Sequence, residues 1–205
     1  MHIVDGALAN EVVIGGAVLA AGGIALGLNR LPLEKIPVAG VLSAAFFVAS
    51  LIHVPIGPSS VHLILNGLAG LVLGWAAFPA LFVGLLLQAV FFGFGGLTVL
   101  GINTLNIALP AVLAGLLLGP LIARASPLAG AVWAGIGGAF AIAATTLLVA
   151  VSLVLSGDAF VPAAQFVFLA HIPVMAVEAL LSASAVYLAR QVKPDLFDAI
   201  KGARA

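Results

Sequence analysis

The feature that most constrains this chain is a succession of apolar runs, each near the length that crosses a bilayer, separated by short polar breaks. A crossing takes about 20 helical residues, and the hydrocarbon offers no water to backbone N–H and C=O groups. Runs of this kind therefore have to be helices. They fall at about Val12 to Leu28, Ile36 to Ile52, Val61 to Trp75–Phe78, Ala80 to Phe94, Ile107 to Ala123, Leu128 to Leu155 and Ala164 to Leu188. The expected fold is an all-α polytopic membrane protein of about seven transmembrane helices, one domain over residues 1–205. Composition decides one point here. Only 7% of the residues are charged, against about 25% in soluble domains.

The positions of the charges give an orientation. Arg30 and Lys35 fall after the first run and Arg124 after the fifth, while Arg190, Lys193, Lys201 and Arg204 follow the last. With seven crossings these breaks share one side, and Asp5, Glu11 and Asp158 share the other. The positive-inside rule then puts the amino terminus outside and a short tail, residues 190–205, in the cytoplasm. The terminus has no basic segment ahead of its first apolar run, so a cleaved leader is not expected. Small residues such as Gly15, Gly16, Ala20 and Gly23, or Gly40, Ser43 and Ala44, suit close helix contact within the bundle or with a partner.

Several chemistries are excluded by what the chain lacks. With no cysteine, disulfides, thiolate zinc sites and iron–sulfur clusters drop out. No G-x-x-x-x-G-K-[ST] loop is present to hydrolyse ATP, and no H-E-x-x-H or G-x-S-x-G motif for hydrolysis. The polar residues left inside the apolar runs stand out, because such groups face a cavity or another helix. The expected topology places His2, His53, His62 and His171 in the outer half. Asn66 follows His62 by four residues and is expected on the same helix face. Asn103 and Asn106 lie in an expected connection opened by Gly95-Gly96, Gln88 sits within the fourth run, and Glu178 comes seven residues after His171. Read from the residues alone, His53 and His171 are expected to make helix-to-helix hydrogen bonds rather than bind metal. The asparagines and Gln88 serve as packing contacts, and Glu178 as a buried hydrogen-bonded carboxylate or a group orienting an imidazole.

The first residues, Met1-His2-Ile3-Val4-Asp5-Gly6, offer more. The amine of Met1, the amide nitrogen of His2 and its imidazole can close two fused chelate rings on one ion. A histidine from elsewhere would complete a four-nitrogen plane, a geometry that suits Ni(II) and Cu(II). His62, after the turn Pro55-Ile56-Gly57-Pro58-Ser59-Ser60, is the favoured candidate.

Together, Met1-His2-Ile3-Val4-Asp5-Gly6, Ser60-Val61-His62 with Asn66-Gly67, Phe94-Gly95-Gly96-Leu97-Thr98, Asn103-Thr104-Leu105-Asn106 and His171-Ile172-Pro173 resemble the CbiM/NikM family. These are substrate-binding membrane components of energy-coupling factor (ECF) transporters for cobalt and nickel, and the resemblance covers nearly the whole chain. It implies an ECF S-component-like fold with an extra N-terminal helix. It further implies ion binding by the Met1 amine, the His2 amide and imidazole, and His62, with Asn66, Asn103, Asn106, His171 and Glu178 around them. The implied partners are a T-type transmembrane subunit (CbiQ/NikQ-like), ATP-binding-cassette ATPases (CbiO/NikO-like) and a small accessory membrane subunit (CbiN-like). The implied location is a bacterial or archaeal cytoplasmic membrane. Co(II) or Ni(II) is then cargo rather than cofactor, and the chain is not an enzyme. Val4 and the Pro58-Ser59-Ser60 turn depart from the common family pattern in loop positions, not in the ligand set, and the outer loop leans toward cobalt. A self-sufficient carrier or channel, or an intramembrane metal-dependent enzyme, is the alternative.

Overall fold

In the computed structural model the backbone is described for residues 2–51, 53–56 and 59–193, and side chains for 2–51 and 61–193. The elements are α1 (Asn10–Asn29), α2 (Ile36–Ala49), β1 (His53–Ile56), β2 (Ser59–His62), α3 (Asn66–Leu73), α4 (Ala77–Phe92), α5 (Leu100–Arg124), α6 (Pro127–Val154), α7 (Val161–Ala170) and α8 (Ile172–Val192). Their ends follow local chemistry. Ser126 accepts from the Ala129 amide at 3.3 Å to cap α6, with Pro127 in its first turn, where a proline's missing N–H costs nothing. Gly93, at φ +66°, ends α4.

Close backbone approach holds the helices together. The buried residues of α1 are Gly16, Ala20, Gly23 and Gly27, a single stripe of small side chains. A Cβ on Gly23 would lie 2.5 Å from the Phe78 ring, and one on Gly27 2.5 Å from Pro79. Helix α3 runs through the middle of the bundle. A Cβ on Gly70 would come 1.7 Å from the Ala111 carbonyl oxygen of α5, and one on Gly67 2.7 Å from the Gly138 Cα of α6. Of the small residues singled out in the sequence, Gly16, Ala20, Gly23 and Ser43 are buried within the chain, whereas Gly15, Gly40 and Ala44 are exposed.

The contacts define two ends. At one, Arg30 stands 5.4 Å over the Trp75 ring, Lys35 donates to the Val72 carbonyl at 3.3 Å, and Arg190 donates to the Ile122 carbonyl. Cations at helix C-termini are favoured there by the helix dipole. At the other end lie residues 2–9, the β1–β2 hairpin, the 93–99 loop and the α7–α8 junction. The chain reverses at Gly74, whose φ of +57° and ψ of −126° no helix continues. Helix α3 therefore descends from the site end and α4 climbs back, pairing Phe92 with Phe47 at 5.8 Å.

Several expectations are corrected here. By length and apolarity, five helical stretches among the described residues suffice to cross a membrane, which leaves the expected count of about seven unconfirmed. Helix α2, with 14 residues, extends only about 21 Å, and residues 66–92 count as one stretch although the path turns at Gly74. The third run does not start helical at Val61, because β1 (His53–Ile56) and β2 (Ser59–His62) pair antiparallel, with His53 opposite His62. The fifth helix starts at Leu100 rather than Ile107, so Asn103 and Asn106 are helical. The last run breaks at His171, where Pro173 cannot continue α7 and restarts the chain as α8. Helix α8 runs to Val192, past the expected tail boundary at 190.

Candidate metal centre

The site end is built around the terminal segment. Ile3 is fully buried and His2 is 3% exposed. Asn103 of α5 grips Ile3 as a neighbouring strand would, its Oδ1 accepting from the Ile3 amide at 3.0 Å and its Nδ2 donating to the Ile3 carbonyl at 3.0 Å. Two residues on, the Asp5 amide donates to the Gly95 carbonyl at 2.9 Å. The Asp5 carboxylate accepts from the Thr98 hydroxyl at 2.5 Å and the Val99 amide at 3.3 Å. Glycines make this cradle possible. A Cβ on Gly96 would fall 2.0 Å from the Asp5 carboxyl carbon, and one on Gly95 2.9 Å from Asn103 Nδ2. Ser156, just past α6, accepts from the Ala9 amide at 3.0 Å.

Against this segment stands His62, 4% exposed at the end of β2. Its ring lies 4.6 Å from that of His2, centroid to centroid, with 21° between the planes. Imidazole nitrogens bind late first-row ions such as zinc at about 2 Å, so two rings this close are within reach of one ion. Nδ1 of His62 lies 2.8 Å from the Leu63 carbonyl. A carbonyl only accepts, so Nδ1 carries the hydrogen and the lone pair is on Nε2, the tautomer a ligand needs. Burial holds the His62 imidazole well below its ordinary pKa, so it stays neutral and metal-competent in mildly acidic solution. Phe94, 6.4 Å from the His2 ring, supplies an apolar wall.

The remaining candidates separate by what they touch. Asn66 does not share a helix face with His62, because the helix begins at Asn66 and His62 is in a strand. Its Nδ2 donates to the Ile107 carbonyl and the Thr145 hydroxyl, each at 2.9 Å, tying α3 to α5 and α6. Asn106 donates to Ser152 at 3.2 Å, and Gln88 to the Phe47 carbonyl at 3.4 Å. His171, fully buried at the α7–α8 junction, places Nδ1 2.6 Å from the Val167 carbonyl. Its Nε2 has no hydrogen-bond partner among the described residues. Glu178 turns to the main chain, accepting on Oε1 from the amides of Ile64 at 2.5 Å and Leu65 at 2.8 Å. Met1 lies outside the described residues, and so does the side chain of His53. No group of three or more His, Cys, Asp or Glu gathers among the described residues, so a nitrogen set completed by main-chain and terminal groups is what the arrangement leaves open. Sequence reasoning missed Asp5, Thr98 and Ser156 as anchors. Asp5 was legible as a charge and as part of the terminal motif but not as an anchor, since the groups its carboxylate binds lie 93 and 94 positions away.

The architecture is that of a multi-pass membrane protein. Two solved structures described as transition metal transporters share its fold. One aligns over 100% of both chains with a TM-score of 0.73 and 24% identity. The other aligns over 95% of this chain and 99% of its own, with a TM-score of 0.70 and 23% identity. The chain belongs to the CbiM family, described as the cobalt uptake substrate-specific transmembrane region, which matches residues 2–196. A Haemophilus influenzae protein assigned to metal transport is 42% identical over 202 residues, 97% of each chain. The fused nickel transport protein NikMN of Rhodobacter capsulatus is 39% identical over 94 residues, which is 45% of this chain and 25% of that protein. The chain is thus a multi-pass membrane component of metal transport.

Proposed function

We propose that this chain captures Co(II) or Ni(II) at the outer face of a cytoplasmic membrane, as the substrate-binding component of an ECF-type uptake transporter. The ligands are the Met1 amine, the amide nitrogen and imidazole of His2, and Nε2 of His62. The observation that carries this reading is the pairing of the buried His2 and His62 rings at 4.6 Å, beside a terminal segment that Asn103 holds in place. Asn103 holds the terminus through Ile3, and Asn66 and Asn106 brace the helices behind it. His171, at the α7–α8 junction with Nδ1 turned to the Val167 carbonyl, stays outside the ligand set. The whole of residues 1–205 acts as one transmembrane domain with the terminus outside and the residues after Val192 in the cytoplasm.

The chain has no phosphate loop, so ATP hydrolysis falls to separate ATP-binding-cassette subunits, coupled through a T-type transmembrane subunit. A small accessory membrane subunit completes the assembly. A relative in which this region is only part of a longer fused transport protein fits that arrangement. Metal is cargo here, and the chain itself catalyses no reaction.

One added residue ahead of Met1 tests the reading. It turns the Met1 amine into an amide and moves the free amine one residue away from the His2 and His62 pair, so the proposed set of Met1 amine, His2 amide and two imidazoles can no longer form. Cells carrying the complete transporter should lose uptake of both ions while the protein still reaches the membrane. Uptake that persists at the native level would mean the terminus is not a ligand.

A further inference from the structure

Glu178 is a buried, ionisable group in a helix that the capture site leaves without a role. It lies on α8, 114 positions from Ile64, and is fully buried. One of its oxygens, Oε1, accepts from two successive amides, Ile64 at 2.5 Å and Leu65 at 2.8 Å. Its other oxygen, Oε2, has no hydrogen-bond partner among the described residues. The two amides belong to the turn that joins His62 to α3. Within that turn Leu65 holds φ +56° and ψ +19°, the left-handed region, and it is the one non-glycine residue with positive φ among those described. An L-residue seldom adopts this conformation without something to hold it. The carbonyl of Leu63, in the same turn, accepts from Nδ1 of His62 and so sets the ring's tautomer and direction. A chain of contacts therefore runs from the α8 carboxylate to the turn, from the turn to the Leu63 carbonyl, and from that carbonyl to the imidazole.

We propose that Glu178 is the positioning residue of the capture site: its carboxylate pins the Ile64–Leu65 turn to α8 and thereby aims Nε2 of His62 at the ion. The proposal rests on His62 being a ligand, as put forward above. Glu178 touches neither the ion nor the imidazole, and acts through the backbone. The Leu63 carbonyl also accepts from the Ser50 hydroxyl at 3.2 Å, while strand pairing fixes the backbone register of His62. Because the clamp spans α8 and α3, displacement of α8 changes the aim of His62. This couples a helix that runs to the opposite end of the bundle with the affinity of the site.

The test is Co(II) and Ni(II) binding by the purified full chain in detergent, read by calorimetry, by the visible d–d spectrum of the bound ion, and by thermal unfolding of the metal-free protein. Glu178→Asp withdraws the oxygen from both amides, and Glu178→Ala removes it. Each should weaken binding by roughly 10- to 100-fold, the range seen when a group that orients a ligand is lost, with a shifted d–d spectrum. Glu178→Gln keeps an oxygen acceptor at the same reach and should bind within about threefold of the native protein with an unshifted spectrum. His62→Ala is included to separate the two readings. If it leaves affinity and spectrum unchanged, His62 is not a ligand and the positioning role falls with it. If His62→Ala removes the site but Glu178→Asp binds like the native chain, His62 is a ligand that Glu178 does not aim. If Glu178→Gln is as weak as Glu178→Asp, charge rather than the backbone clamp is what matters, and the proposal is overturned. The Asp and Gln comparison stands even if Glu178→Ala does not accumulate.

Discussion

The middle of the bundle and its metal-site end are held by different physics. Where α3 crosses α5 and α6, the contacts are backbone against backbone. Gly70 meets Ala111, Gly115 meets the Gly70 carbonyl, and Gly67 meets Gly138, all at distances that leave no room for a Cβ. In a membrane the apolar surroundings give little reason for helices to associate, so close van der Waals packing of small residues supplies it. At the site end the contacts are side chain to main chain. Asn103 holds Ile3, Asp5 holds Thr98 and Val99, Ser156 holds Ala9, and Glu178 holds Ile64 and Leu65. Packing of small residues is distributed over many positions and sets how close helices come. Hydrogen bonds of this second kind are few and directional, and each sets where one short segment lies. The bundle sets whether the protein folds, and a handful of polar side chains set where the terminal segment and the turn after His62 lie.

That contrast can be broken most severely in the middle. Gly70→Val places atoms inside the Ala111 carbonyl, and neither partner is a flexible side chain that could give way. Loss of folded protein from the membrane fraction is expected, since overpacking against rigid backbone costs more than the usual 1–3 kcal/mol of a tight core. Folded protein at native abundance would show that α3 can shift without loss of the bundle.

Next in size is Asn103→Ala, which removes both bonds to Ile3 at once. Metal affinity should fall by about 10- to 100-fold, while the helical signal and membrane accumulation stay near native. A matching collapse of the bundle would erase the distinction between the two regions. Asp5→Ala cuts the second tether, which lies farther from the rings and nearer solvent. It should weaken binding by less than Asn103→Ala, by about tenfold or under. The reverse order in a titration series would relocate the main anchor from α5 to the 93–99 loop.

A pH series sharpens the contrast without changing the packing. Burial depresses the pKa of His62 in the folded chain, whereas the unfolded chain titrates near the ordinary value of about 6.5. Below that value the unfolded state binds the extra proton, so the contribution is fully present above about 6.5 and is lost as pH falls toward the folded pKa. The metal-free protein should therefore unfold at lower temperature in mildly acidic buffer than in neutral buffer. His62→Gln should shrink that difference. An equal pH dependence in the variant would assign the effect to another group.

The smallest effect belongs to the lipid-facing surface. Leu180 is 68% exposed on α8, two positions from the clamp residue, and Leu180→Ala should change unfolding by no more than about 0.5 kcal/mol. A large loss of metal binding there would show that α8 communicates with the site through its outer face.

Much of this protein was legible in the amino-acid sequence because the deciding property was local. Apolar runs must be helical in lipid whatever their neighbours, so α1, α2 and α6 lie within a few residues of the expected runs. The clustering of His2 and His62 was legible too, through motif residues the family shares. Tertiary structure alone decided the rest. Nothing near Val61 or Ser60 says that β1 and β2 pair as strands instead of opening a helix. No spacing announces that Asn103 grips Ile3 across 100 positions, or that Glu178 turns from His171 on its own segment to the amides of Ile64 and Leu65. A hydrogen bond to the main chain depends on where a distant backbone passes, not on which side chain it carries, so it leaves no pattern in the sequence to read.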